Sequence, residues 1–204
     1  MSDLSVTSSE TSPSLATIVR EVGPEIPGYR KRTSPDGMLT VVFTDIEGST
    51  EIMESLGEER WLELMVSHSR LVRRCVGRHG GDVVKSQGDG FMITFASASA
   101  ALDWAVELQR VLSRYNAGEA PAILRVRVGL HTGNIFQAEE DFLGRAVVVA
   151  ARITGRARGG EILVSSASRS YTSHLGRWSY GEPRELSLKG LAQAERVYPL
   201  DWSE

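Results

Sequence analysis

The helical spacing of residues 58–79 stops at His79-Gly80-Gly81 and gives way to two β-like runs, Asp82–Gln87 and Phe91–Phe95, joined by Gly88-Asp89-Gly90. Glycine enters left-handed backbone freely, so the Gly-Gly pair ends a helix, and Gly-Asp-Gly between β-rich runs marks a hairpin. Upstream, the apolar positions Trp61, Leu62, Met65, Val72, Cys75 and Val76 recur at helical spacing across Glu58–His79, and Gly57 closes a short helical turn before them. Before that turn, Leu39–Asp45 is a β-branched run. The order strand, helix, hairpin is therefore set by local punctuation alone.

The pattern continues downstream. Ala98–Tyr115 carries Ala98, Ala101, Leu102, Ala105, Leu108, Leu112 and Tyr115 on one helical face. In Leu124–His131, Leu124, Val126, Val128 and Leu130 alternate strictly with Arg125, Arg127 and Gly129. Helix is expected over Gly144–Arg156, a strand over Glu161–Ser165, and short strands between Trp178 and Pro199 around Leu188-Lys189-Gly190. The first six elements, β-α-β-β-α-β, match the split βαβ or ferredoxin-like arrangement, with a C-terminal αβ extension. The fold class is α+β, without internal repeats.

Residues 1–36, rich in Ser, Thr, Pro, Gly and charge, hold too little apolar surface to offset ordering, so a flexible, disordered tail is expected before a single domain at 37–204. A net charge of −3 supplies no general attraction to nucleic acid or anionic lipid. No apolar run approaches the roughly 20 residues that span a bilayer, and the N-terminus lacks the basic start and apolar block of a signal peptide. The one cysteine, Cys75, excludes an internal disulfide and reads as a small buried hydrophobe. A cytoplasmic protein, free of nucleic acid and membrane, is expected.

Two acids stand out by position. Asp45 ends the first strand in FTDIEGST, and Asp89 is the tip of the hairpin. In a ferredoxin-like sheet the first strand is central with a hairpin strand beside it, so both acids can reach the same sheet edge. They would repel unless a cation joined them. Hard cations such as Mg²⁺ take carboxylate oxygens and keep phosphate or water as further ligands. Gly48, Gly88 and Gly90 permit close backbone approach, and a helix N-terminus after Gly48 favours phosphate. Each acid alone reads first as a turn residue; the pair favours a metal. His68, His79, His131 and His174 show no metal-ligand spacing, and His131 is a candidate for a structural hydrogen bond.

FTDIEGST, followed after a long helix by GGDVVKSQGDGFMITF, resembles the catalytic domain of the class III nucleotidyl cyclases over residues 38–199. The resemblance implies a homodimer with active sites at the subunit interface. Asp45, Asp89 and the backbone carbonyl of Ile46 would bind two Mg²⁺ or Mn²⁺ ions, and Glu47 would be a turn or surface residue. It also matches Lys85 and Asp141 to the residues that read the base. A Lys donor and an Asp acceptor complement N1 and the exocyclic amine of adenine, whereas guanine presents the reverse, so the substrate expected is ATP. Alternation along the strand puts Val84 and Ser86 on one face and Val83, Lys85 and Gln87 on the other; helices over the first face would leave Lys85 in the dimer cleft.

The resemblance further assigns Arg152 to charge on the reacting phosphorus and Lys189 to the β- and γ-phosphates. The family's Asn, four residues before the Arg, is replaced by Val148, which donates no hydrogen bond. Arg145 shares the stripe with Val148 and Arg152. The expected activity is thus an adenylyl cyclase, slowed by Val148. The alternatives are a degenerate cyclase domain that binds nucleotide or a partner with little turnover, a guanylyl cyclase, or a diguanylate cyclase, whose G-G-D-E-F hairpin is absent here.

Overall fold

The structure is a computed structural model that describes residues 38–118, 120–138 and 141–203; the expected N-terminal tail lies outside the described residues. The elements in chain order are β1 (Met38–Ile46), α1 (Ser49–Leu56), α2 (Glu58–Arg78), β2 (Asp82–Gln87), β3 (Gly90–Phe95), α3 (Ala98–Asn116), β4 (Val126–Asn134), β5 (Phe136–Ala138), β6 (Asp141–Leu143), α4 (Arg145–Thr154), β7 (Ile162–Ser165), α5 (Ser166–Thr172), β8 (Arg184–Leu186) and β9 (Glu195–Pro199). Among the described residues one sheet has the order β2-β3-β1-β4-β7-β9-β8, and β5 and β6 form a separate hairpin. The first four strands give the ferredoxin-like order. β7 adds parallel to β4, and β9 then β8 extend the sheet antiparallel.

Strand alternation divides the core. Val42 and Ile46 of β1 and Ile93 and Phe95 of β3 pack against Leu64, Val72, Cys75 and Val76 of α2 and Leu102, Trp104, Ala105 and Leu108 of α3. On the opposite face Leu39 and Val41 of β1, Val84 and Met92 meet Ala150 of α4. Val149 and Ile153 of α4 pack with Leu163, Leu188 and Val197. Cys75 is buried as expected, and burial pushes its thiol up to about 11, so it is a packing residue.

The residue opposite Phe43 on β4 is Gly129, where a Cβ would collide with Thr154 of α4. Only glycine lets the helix approach this closely. The Thr154 hydroxyl donates to Phe43 O (3.3 Å) and to Ala150 O (2.9 Å), tying the end of α4 to β1. The helix ends at Thr154, two residues before the sequence boundary at Arg156.

Two buried histidines make the fold acid-sensitive. His68 of α2 lies edge-on to Phe91, its Nε2 without a hydrogen-bond partner, and burial lowers its pKa from 6.5 to about 4 against the attraction of Asp89. His131 is lowered to about 4 by burial and then by Arg145; its Nδ1 has no partner, so the expected structural hydrogen bond is missing at that nitrogen. Both folded pKa values lie below the unfolded value. As pH falls from about 6.5 to about 4 the unfolded chain gains protons that the native state refuses, and stability falls by up to about 3 kcal/mol per histidine. Urea midpoints at pH 7 and pH 5 measure this; His68→Leu should flatten the dependence, and an unchanged slope would contradict it.

Candidate active site

Asp45 and Asp89 are brought together. β1 lies between β3 and β4 with Thr44 opposite Phe91, so the β2–β3 turn projects beside the end of β1. Gly88, with φ 61°, takes the left-handed conformation this turn needs. The Ile46 N–H donates to Asp89 Oδ2 (3.2 Å), and the Phe91 N–H donates to the Thr44 hydroxyl (3.1 Å). Asp45 shares its sheet face with Val41 and Phe43, away from α2 and α3. Its carboxyl is raised above the usual carboxylate range, first by burial and then by the charge of Asp89, with Arg127 opposing both.

Arg127 is the cation of this site, and sequence reasoning passed over it. In an alternating strand it reads as part of a solvated face. The register places it directly opposite Asp45, and its Nη1 donates to Asp45 Oδ2 (2.9 Å). Its Nη2 stands 3.6 Å from Glu47 Oε1. Glu47 lies in the expected turn, but its carboxylate also accepts from the Gly159 N–H (2.9 Å) in the loop before β7. A Cβ at Gly159 would collide with Glu47 and Arg125. The Gly159 N–H holds the Glu47 carboxyl below its ordinary range; desolvation opposes it, and Arg127 then adds to the lowering.

The face expected for Lys85 needs correction. Val83 pairs with Ile93, but Lys85 pairs with Met92, so Val84 is the extra residue of a β-bulge. The bulge breaks the alternation. Val83 packs with α2 and α3, whereas Lys85 joins Met92, Phe43 and Asp45 on the opposite face. The helices α2 and α3 therefore cover the face of Val83, whereas Val84 packs on the opposite face with Ala150 of α4. Lys85 still faces away from α2 and α3, for a reason that alternation did not contain.

The other candidates distribute around α4. Arg145, Val148 and Arg152 form its exposed stripe, with Val148 44% exposed, while Ala146, Val149, Ala150 and Ile153 are buried beneath. Arg152 lies toward the helix end tied to Phe43. Lys189 is exposed in a turn completed by Gly190 (φ 82°). Buried Leu188 packs with Val149 and Ile153, and Arg156 donates to Ser187 O (3.2 Å), so the turn is anchored beside α4. Asp141 opens β6, pairing with Ala138 of β5. That hairpin was unexpected from sequence; each strand is only three residues long. Among the described residues no group of three or more His, Cys, Asp and Glu converges, so the acidic centre is the Asp45–Asp89 pair.

The family model for the adenylate and guanylate cyclase catalytic domain matches residues 32–200. An adenylate cyclase of Mycosarcoma maydis is 35% identical over 175 residues, which cover 74% of this chain and 6% of that protein. The chain spans between 6% and 9% of the length of the fungal adenylate cyclases it matches. A Trypanosoma brucei adenylate cyclase structure, described in its monomeric state, aligns with a TM-score of 0.70 and 28% identity over 83% of this chain and 91% of that one. The guanylyl cyclase Cya2 aligns with a TM-score of 0.72 over 80% of this chain and 91% of that one; at 22% identity it is a likeness of fold. The Asp45–Asp89 pair at the central strand, on this sheet order and with a family match over nearly all of the described residues, leads to one conclusion: the chain belongs to the adenylate and guanylate cyclase catalytic domain family, class III.

Proposed function

We propose that this domain is an adenylyl cyclase that converts ATP into 3′,5′-cyclic AMP and pyrophosphate, with active sites formed between two copies of the chain. The observation that carries the reading is the Asp45–Asp89 pair: two carboxylates held together at a strand end by the Ile46 N–H, with Asp45 raised by burial and by its neighbour's charge. Such a pair is unfavourable unless a cation is shared. The donors on offer, two carboxylates and the Ile46 carbonyl, are the hard oxygens that Mg²⁺ or Mn²⁺ prefers. When bound, such ions lower the cost of ionising the ribose 3′-hydroxyl and offset charge on the phosphate oxygens.

In this reading the ribose 3′-oxygen attacks the α-phosphorus, and the bond to the β-phosphate oxygen breaks as pyrophosphate leaves. Arg152 offsets charge at the phosphorus, and Lys189 holds the β- and γ-phosphates. Lys85 donates to adenine N1, and Asp141 accepts from its exocyclic amine. Arg127 supplies a further positive charge at the acidic end of the site. The presence of Lys85 on the face of Asp45 supports a role toward the same ligand. Incubating the purified chain with ATP or GTP and Mn²⁺ or Mg²⁺, and identifying the product chromatographically, tests the reading. Absence of cyclic nucleotide under all four conditions would favour a degenerate domain that binds without turnover.

Val148 is the feature that favours this second reading, since an apolar side chain stands exposed on the stripe of Arg152. A side chain that orients ribose and phosphate there should raise the rate, because misplacing reacting groups is costly. Val148→Asn is expected to raise kcat by about tenfold with little change in stability, the site being exposed. A kcat that stays the same or falls would show that Val148 is no handicap.

A further inference from the structure

Asp45 has two claimants. The Arg127 guanidinium already occupies Oδ2 at 2.9 Å, the carboxylate that a divalent cation would need under the proposed function, on which this inference rests. A second carboxylate stands ready for Arg127. Glu47 Oε1 is 3.6 Å from Nη2, and it is not free to wander, because the Gly159 N–H holds it at 2.9 Å and the Glu47 N–H donates to Arg125 O at 2.9 Å. Arg127 itself is only 28% exposed, and its Nε is buried without a partner, so displacement into water is not an easy alternative for this side chain. The arrangement is one guanidinium between two acids, Asp45 in direct contact and Glu47 clamped by Gly159.

We propose that Glu47 is a positioning residue that receives Arg127 when a divalent cation takes Asp45. A cation at Asp45 repels the guanidinium, and a clamped carboxylate within reach lowers the cost of the exchange. Without Glu47 the Arg127–Asp45 pair has no rival, and the cation must break it at full cost. The Gly159 contact has a second consequence, since it ties the exchange to the loop that follows α4, the helix carrying Arg152.

The test is direct Mn²⁺ binding to the full chain by electron paramagnetic resonance, without nucleotide, so that it does not depend on turnover. Glu47→Gln keeps an oxygen acceptor for Gly159 but loses the charge. It is expected to raise the Mn²⁺ Kd by about 3- to 10-fold, the scale of a partly exposed charge-assisted contact. In activity assays the half-activating Mn²⁺ concentration should rise in parallel, with kcat at saturating Mn²⁺ little changed. Arg127→Gln removes the competitor and should tighten Mn²⁺. In the Arg127→Gln background, Glu47→Gln should then have at most a small residual effect, because its partner is gone.

An undiminished effect of Glu47→Gln in that background would mean that Glu47 acts through its charge alone, and would overturn the proposal. So would Mn²⁺ binding weakened by Arg127→Gln, or unaltered by Glu47→Gln. If Glu47→Gln fails to fold, the sign of the Arg127→Gln effect decides. Wild-type binding that is lost in Asp45→Asn upholds the metal reading independently of these results; absence of Mn²⁺ binding to the wild type overturns both.

Discussion

Asp45→Asn is expected to lower cyclic nucleotide formation by about a thousandfold or more while leaving the fold intact, since charge stabilisation at the reacting centre is commonly the largest contribution to such catalysis. Asparagine is isosteric, and its side-chain oxygen can still accept from Arg127. The stability sign can be worked out. The Asp45 carboxyl is raised in the folded state by burial and by Asp89. A group of this kind contributes its stability below the unfolded pKa, where it is neutral, and that contribution is lost as pH rises through the folded pKa. At neutral pH the ionised carboxylate is therefore a cost, partly offset by Arg127. Replacing it with a neutral amide should leave the metal-free melting temperature equal or higher. Addition of Mn²⁺ should raise the melting temperature of the wild type and not that of the variant. A variant that retains activity, or whose activity falls only because it melts, would sink the assignment of Asp45.

Lys85→Glu is expected to turn the nucleotide preference. Its carboxylate would meet the N1 acceptor of adenine without a proton to donate, while guanine N1–H could donate to it. Sites that leave a hydrogen-bonding group unpaired discriminate by large factors, so kcat/KM for ATP should fall by about a hundredfold and the ATP-to-GTP ratio with it. β2 is an edge strand, and Lys85 is not part of the apolar cluster on either face of the sheet. A melting temperature measured alongside separates any effect on the fold from one on base selection. Measuring kcat/KM for both nucleotides tests this. An unaltered ratio would place base selection elsewhere and would leave Lys85 as a solvated strand residue.

Much of the fold was legible because it is written in local chemistry. Gly80-Gly81 ends α2 and Gly88-Asp89-Gly90 turns the hairpin, so the strand and helix order could be read residue by residue. The closeness of Asp45 and Asp89 followed from that order, since a central first strand and a neighbouring hairpin can bring both acids to one edge. Less could be read where the backbone departs from regular period. Val83-Val84-Lys85 contains no glycine or proline to announce a bulge, yet the bulge decides which face Lys85 joins. The β5–β6 hairpin is too short to show alternation.

By itself, the sequence determined the kinds of elements, their order and the identity of the two acids, because periodicity and glycine placement act over a few residues. The partners of those acids were decided only by the tertiary structure. Arg127 lies 82 residues from Asp45 and Gly159 lies 112 residues from Glu47, and nothing local in either segment refers to the other. Strand register and the close approach of α4 over Gly129 bring them together, and both depend on how the whole sheet packs. The chain of contacts from Gly159 through Glu47 and Arg127 to Asp45 is a property of that packing alone.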